Sequence, residues 1–165
     1  MKRLMLVLCG VAVLGAVAVG GASASTRPAG VPIAGCIFVQ GGQTTVPAGT
    51  DVVLVVGDIT LRRGQAEAAR HNWSFALANL DGTPIANADS YWNAPTPETD
   101  VLANGTLYPN AWATWWIYDT GITLGAGQSV TLDYDLVSLH AGTDGFGPAA
   151  PAGPIVGGTC TITGA

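Results

Sequence analysis

Acidic residues at short spacing are the first side chains in this sequence whose types could do chemistry. Asp133 and Asp135 lie two residues apart, and Glu98 and Asp100 form a similar pair in a proline-containing segment. Two carboxylates facing each other across a cleft can hydrolyse a glycosidic bond, and carboxylate oxygens also bind calcium. Polar and apolar residues alternate around Asp133 and Asp135, which predicts instead a solvated face of a β-strand.

The two histidines, His71 and His140, are far apart in the sequence, and neither has a second ligand at the spacing of a metal site. The sequence contains no G-x-S-x-G, no H-E-x-x-H and no glycine loop that leads into a helix to hold a phosphate. We therefore predict a protein without catalytic residues, cofactor or bound metal.

A basic cluster stands out against an otherwise acidic chain. It consists of Arg62, Arg63, Arg70 and His71, which could contact a carboxylate or a phosphate. The interpretation we prefer is a set of solvated charges around a short helix that pair with Glu67 or Asp58.

Aromatic residues indicate a possible binding surface. Four of the five tryptophans lie between residues 92 and 116. If Trp92 and Trp115 lie near solvent beside Tyr91 or Tyr108, their rings would form a platform on which a sugar ring stacks. The alternative is that the tryptophans fill the core or cover a loop, where large aromatic side chains contribute most to stability.

The N-terminus predicts export. Lys2 and Arg3 precede an apolar run over residues 4–20, and the small residues Ala22 and Ala24 fit the pattern that signal peptidase cleaves. We predict cleavage after Ala24 and a secreted protein. The alternative is an uncleaved segment that anchors the chain in the membrane, since the apolar run is near the lower length limit for spanning a bilayer.

Cysteine content supports the same compartment. Cleavage removes Cys9 and leaves Cys36 and Cys160, and an even number of cysteines in an exported chain predicts one disulfide. The stretch Ile33-Ala34-Gly35-Cys36 resembles the lipobox of bacterial lipoproteins, but residues 25–32 separate it from the apolar run.

Charge excludes two classes of partner. After cleavage, four arginines and no lysine oppose eleven acidic residues. Nucleic acid and anionic membrane both require a concentrated positive field. The remaining partners are a protein or a glycan, of unknown identity.

Alternation with a period of two predicts strands through most of the mature chain. Residues 111–140 predict two long antiparallel strands joined by a tight glycine loop, with Trp116 in the core and Trp115 nearer solvent or under a loop. The most apolar segment of the mature chain, residues 51–60, predicts a central strand. Residues 35–40 and 159–163 predict the first and last strands.

The remaining connections are predicted from turn residues and helix propensity. Residues 62–71 predict one or two helical turns that do not pack as a helix. In the next strand, Trp73, Phe75 and Leu77 are predicted to face the core. Asp81-Gly82 predicts a tight turn, and residues 91–100 predict a loop that ends at an edge strand, Val101-Leu102. Asn104-Gly105 predicts a further turn.

A short stretch carries a family resemblance. Residues 121–132, GITLGAGQSVTL, resemble the penultimate hairpin of bacterial immunoglobulin-like domains, which often reads Leu-x-Pro-Gly-Glu-Ser-x-Thr-Val, with Ala126 here where proline is common. The resemblance implies an all-β, immunoglobulin-like Greek-key β-sandwich of about seven or eight strands. It also implies a non-enzymatic module with a structural or protein-interaction role; the alternative function is a carbohydrate-binding module.

The predicted domain organisation has three parts. Residues 1–24 are a signal peptide, residues 25–34 a lead-in, and residues 35–165 a single β-sandwich domain closed by one disulfide. A mature chain of this length is sufficient for one domain with its own core.

The disulfide can be tested by mass spectrometry of the exported protein under non-reducing conditions. We expect a single intramolecular bond between Cys36 and Cys160, which in the chain-entropy model contributes up to ~4–5 kcal/mol. The mass should be two hydrogens below that of the dithiol, with reduced protein as the control. Two free thiols, or a diacylglyceryl group on Cys36, would contradict the prediction.

Overall fold

The computed structural model of the chain describes residues 31–32 and 42–165, and β-strands account for most of this part. The predicted signal peptide, the predicted first strand at residues 35–40 and Cys36 lie outside the described residues. The strands in chain order are β1 Val31–Pro32, β2 Gln43–Val46, β3 Thr50–Thr60, β4 Trp73–Leu80, β5 Thr83–Pro84, β6 Thr96–Glu98, β7 Val101–Ala103, β8 Thr106–Tyr108, β9 Ala111–Leu124, β10 Ser129–Ser138 and β11 Gly153–Gly164. An α-helix, α1 Arg63–Asn72, and a 3₁₀ helix, Ala88–Tyr91, complete the described elements.

Two sheets share one apolar core, as expected of a β-sandwich. One sheet has the order β1-β3-β9-β6, and the other has the order β2-β11-β10-β4-β5. The core residues from both sheets include Leu54 and Trp116 of the first and Leu132, Tyr134 and Ile162 of the second. Cys160 of β11 is also fully buried in this core, on the sheet that the predicted disulfide would tie to Cys36.

The prediction that residues 111–140 form one hairpin is wrong. Both strands exist, as β9 and β10, but they pair with different neighbours. β9 pairs with β3 and β6, whereas β10 pairs with β11 and β4. The turn at residues 125–128 therefore carries the chain from one sheet to the other.

The face assignment within β9 is correct for Trp116. Its side chain is fully buried between the sheets. Of the two places expected for Trp115, nearer solvent or under a loop, the first is wrong, since Trp115 is only 8% exposed. It belongs to a second apolar cluster with Val55 and Ala113 on the opposite face of the sheet. There its ring lies across Gly57, where a Cβ would collide with it.

The central position predicted for residues 51–60 is confirmed, because β3 lies between β1 and β9. The prediction for residues 62–71 needs correction. These residues form a ten-residue helix that packs by burying Ala66 and Ala69, and it connects β3 of one sheet to β4 of the other. No helix in the described part of the chain is long and apolar enough to cross a membrane.

Two of the predicted turns are present. Asp81-Gly82 and Asn104-Gly105 each have positive φ at both residues, as a type I′ hairpin turn requires. The second turn joins β7 to β8, so the predicted edge strand at Val101-Leu102 is one arm of a small separate hairpin. The segment predicted as a loop, residues 91–100, contains β6, which pairs with β9.

Replacement of Trp116 with alanine should lower the free energy of unfolding by about 3–5 kcal/mol, because it opens a large cavity between the sheets. Urea denaturation with a two-state analysis measures this change. Trp112 is the matched control, since it lies on the same face of β9 but is only partly buried. Trp112→Ala should cost distinctly less, and equal losses would contradict the assignment of Trp116 to the centre of the core.

Candidate functional site

The four aromatic residues predicted to form a binding platform do not share one surface. Trp92 is 9% exposed and packs edge-on against Trp73, with 5.7 Å between ring centroids. Trp115 is buried on the outer face of the four-stranded sheet, β1-β3-β9-β6. These two tryptophans therefore belong to separate apolar clusters, one inside the sandwich and one outside it.

The two predicted tyrosines are also apart from each other. Tyr91 ends the 3₁₀ helix and lies edge-on to Trp116 and Tyr118, at 6.1 and 5.0 Å between centroids. Tyr108 lies on the small hairpin and contacts Phe146 at 4.8 Å. Both tyrosines are partly buried, and each supports a local structure rather than a shared platform.

The paired carboxylates lie where alternation predicts. Asp133 and Asp135 occupy the outer face of the five-stranded sheet, and Asp133 accepts a hydrogen bond of 2.6 Å from the Thr159 hydroxyl. Glu98 is buried at the end of β6, whereas Asp100 is exposed in a turn. Within the described residues, no group of three His, Cys, Asp or Glu side chains is placed to hold a metal ion.

The basic cluster forms local ion pairs on α1. Glu67 accepts from Arg70 at 3.4 Å and from His71 at 3.3 Å, which confirms the predicted pairing with Glu67. Arg63 lies over the Trp112 ring, 5.7 Å from its centroid. The arginines thus stabilise the helix end of the sandwich.

Asp58 is the one carboxyl group in the described part whose pKa is resolved as strongly shifted. Burial at the helix end of β3 and, to a smaller extent, the nearby carboxylate of Asp144 raise its pKa from 3.8 to about 7, against a backbone hydrogen bond from Ile59 that lowers it. Asp144 is itself held in place because its carbonyl accepts from the Leu61 amide at 2.8 Å. Asp144 belongs to the loop that follows β10, so this loop places a second carboxyl group near Asp58.

The five-stranded sheet has an open edge along β4. Its neighbour β5 covers only Asn79 and Leu80. Beyond that point one further bond between backbone groups, from the Ile85 amide to the Ala78 carbonyl, joins β4 to the chain that follows β5. That chain then leaves the strand as an arch, residues 84–91, and a groove of about 480 Å³ lies between the two. We call it the edge groove; residues 75–79 line one side and residues 84, 85 and 87–90 the other.

A β-bulge changes which side chains face the edge groove. Phe75 pairs with Leu136 and Leu77 pairs with Asp135, so Ala76 is the extra residue. The bulge reverses the face of the residues on either side of it. Phe75 therefore packs on Trp116 in the core, whereas Leu77 is 38% exposed, and the prediction that Leu77 faces the core is wrong.

The arch is fixed at three points. The Trp116 indole N–H donates to the Ala88 carbonyl at 2.6 Å. The Asp89 carboxylate accepts from the Phe75 amide at 2.9 Å and from the Ser74 hydroxyl at 2.6 Å. Asn87 adopts a left-handed conformation, with φ of 50°, at the start of the 3₁₀ helix. These contacts hold the wall of the edge groove in place without a ligand.

A second depression lies on the outer face of the same sheet. It measures about 400 Å³ and is lined by Ala76, residues 135–137 and residues 154–157. A second register shift, between β10 and β11 at Leu136 and Val137, lies beside it. We call it the face depression, and it shares Ala76 with the edge groove.

No sequence motif marks Ala76, Leu77 or Asp89. A signal exists only in Asn87 and Asp89, residue types that favour left-handed turns and backbone caps. Comparisons with protein-family models, with curated proteins and with solved structures find no match to this chain. The edge groove and the face depression are the candidate site because bulges in adjoining strand pairs commonly occur at functional surfaces.

The raised pKa of Asp58 predicts a pH-dependent stability. Between about pH 4 and pH 7 the folded chain retains a proton that the unfolded chain has lost, so the free energy of unfolding falls as pH rises through this window. Asp58→Asn removes the titrating group, so its gain in the free energy of unfolding over the parent should be about 1–2 kcal/mol larger at pH 8 than at pH 4. This expected gain is smaller than the full pKa shift implies, because the side chain of Asp58 is partly exposed.

Thermal and urea unfolding at pH 4, 6 and 8 measure the effect of Asp58→Asn. Asp100→Asn is the matched control, because it removes a carboxylate from an exposed turn. The same pH-dependent gain in both variants would show that overall charge, and not burial of Asp58, controls the stability.

Proposed function

We propose that the chain is an exported, non-enzymatic immunoglobulin-like domain that binds a protein partner through the edge groove. The observation that carries the proposal is the groove itself, with an exposed leucine on one wall and a fixed arch as the other. An unpaired sheet edge readily adds a strand from another chain, and natural domains usually cover or shorten such edges. Here the arch contacts β4 through Ile85 and Asp89, and the edge groove lies between these contacts.

The strand order supports the immunoglobulin-like part of the proposal. In an immunoglobulin domain one sheet contains strands A, B, E and D, and the other contains C, F and G, with C′ added in variable-type domains. Here β3, β9 and β6 correspond to B, E and D, while β4, β10 and β11 correspond to C, F and G. β5 then has the place of C′. The small hairpin β7–β8 and helix α1 are insertions in this scheme.

The cysteines distinguish this domain from antibody domains. The antibody disulfide joins strands B and F, whereas Cys160 lies on β11, the equivalent of G. Export is proposed from the N-terminal sequence, where Lys2 and Arg3 precede an apolar run and a cleavage pattern at Ala24. The alternative is an uncleaved N-terminal segment that anchors the chain in the membrane.

Recognition at the edge groove would use backbone and apolar contacts together. Ala78 directs its carbonyl to this side of β4, as its hydrogen bond from Ile85 requires, and strand geometry directs its amide the same way. Because this carbonyl already accepts from Ile85, an extended segment would pair with the Ala78 amide and place apolar side chains against Leu77. This is the strand-addition mode, in which the main chain supplies affinity and alternate side chains supply specificity.

Carbohydrate binding stays an alternative prediction. It relied on a platform of Trp92, Trp115, Tyr91 and Tyr108, and these rings lie in separate parts of the domain. A polysaccharide pull-down panel on the mature domain tests it independently of the edge groove.

Replacement of Leu77 with serine should weaken peptide binding at the edge groove without unfolding the domain, because the side chain is already 38% exposed. The probe is a random dodecapeptide display library selected on the mature domain. Selected peptides should bind Leu77→Ser at least about tenfold more weakly, the effect of losing one buried leucine contact. They should also protect the amides of residues 76–78 from hydrogen exchange.

Leu102→Ser is the matched control, since Leu102 is 49% exposed on the separate hairpin β7–β8. Selected peptides should bind this variant as they bind the parent domain. Peptides that are sensitive to Leu102 and insensitive to Leu77, or a library from which nothing binds, would contradict binding at the edge groove.

A further inference from the structure

Positive charge in the described part of the chain is confined to one end. The described residues include Arg62, Arg63 and Arg70, all in or next to α1, and no lysine. The same residues include eleven carboxylates, and ten of these lie outside the helix. No arginine or lysine of the described part lines the edge groove or the face depression, so the field at the candidate site is negative.

Two of these carboxylates flank the bulge at Ala76. Asp89 lines the edge groove, and Asp135 lines the face depression, which Ala76 connects to it. Both carboxylates are exposed to solvent. Asp135 also occupies the space above Gly157, where a Cβ would collide with its carboxylate. The absence of a side chain at Gly157 thus leaves space for the Asp135 carboxylate.

Each of these carboxylates can accept a further hydrogen bond. The oxygens of Asp89 each accept one bond from β4, and a carboxylate has about four lone-pair sites. A cation at Asp89 would therefore add to the contacts that fix the arch, without replacing them. Asp135 pairs with Leu77 across β10 and β4, so it lies one strand further in from the open edge.

We propose that the partner segment is basic, an extended stretch in which lysine or arginine residues flank an apolar residue. This inference rests on the proposed function. An added strand would lie about 4.8 Å from β4 and about twice that distance from Asp135. The apolar residue of the added strand contacts Leu77. One long cationic side chain extends over Leu77 to Asp135, and a second cationic side chain contacts Asp89. Such charge complementarity sets the choice of partner and accelerates association.

The same charges disfavour a second copy of the chain as the occupant. A symmetric contact of β4 edges would place Asp89 and Asp135 of one molecule beside the same residues of its partner. Like charges brought together at an interface cost several kcal/mol. An acidic segment is disfavoured for the same reason.

The test uses the dodecapeptides selected on the parent domain. It compares their binding to that domain with their binding to the double variant Asp89→Asn/Asp135→Asn. Asparagine keeps the oxygen that accepts from the Phe75 amide, so the arch should stay in place. We expect the peptides that depend on Leu77 to carry net positive charge, to bind this double variant at least about tenfold more weakly, and to weaken as sodium chloride is raised. The salt series uses the parent domain and does not depend on any variant folding.

The matched control is Asp119→Asn/Asp133→Asn, which removes the same charge from residues that line neither the edge groove nor the face depression. Binding should be nearly unchanged. Leu77-dependent peptides that are neutral or acidic, or that bind both double variants alike, would overturn the basic partner and leave the proposed function standing. Peptides that do not depend on Leu77, or self-association in place of peptide binding, would overturn both.

Discussion

The indole of Trp116 connects the core of this domain to its candidate site. Its ring is fully buried between the two sheets and contacts Phe75 at 4.8 Å between centroids, while its N–H donates to the Ala88 carbonyl. A buried indole N–H without a partner is costly, so core packing and the position of the arch stabilise each other. Because the arch carries Asp89, the shape and the charge of the edge groove both depend on the Trp116 side chain.

The register of the five-stranded sheet is the second constraint. β4 has one extra residue, Ala76, where it pairs with β10, and the register between β10 and β11 shifts near Leu136. The first bulge lets Phe75 face the core and leaves Leu77 outside. A continuous ladder would place Leu77 and Phe75 on the same face. The depressions on both sides of Ala76 therefore follow from the register.

Electrostatics divide the molecule into two ends. The arginines lie in or next to helix α1, where Glu67 pairs with Arg70, whereas most of the carboxylates lie outside the helix. Most of these are solvated and cost little. Asp58 differs because burial and Asp144 hold its pKa near 7, so a carboxyl group under the loop after β10 contributes least to stability when ionised.

The sequence by itself determined the local features of the chain. Alternation predicted the β class, the strand at residues 51–60 and the burial of Trp116, and the Asp81-Gly82 and Asn104-Gly105 dipeptides predicted turns, which the structure forms with positive φ. These features depend on side chains a few residues apart. Tertiary structure decided the rest: that β9 and β10 belong to different sheets, that Leu77 is exposed, and that Trp92 and Trp115 lie in separate clusters. The physical reason is that strand pairing joins distant residues, and one extra residue on one strand reverses every face beyond it.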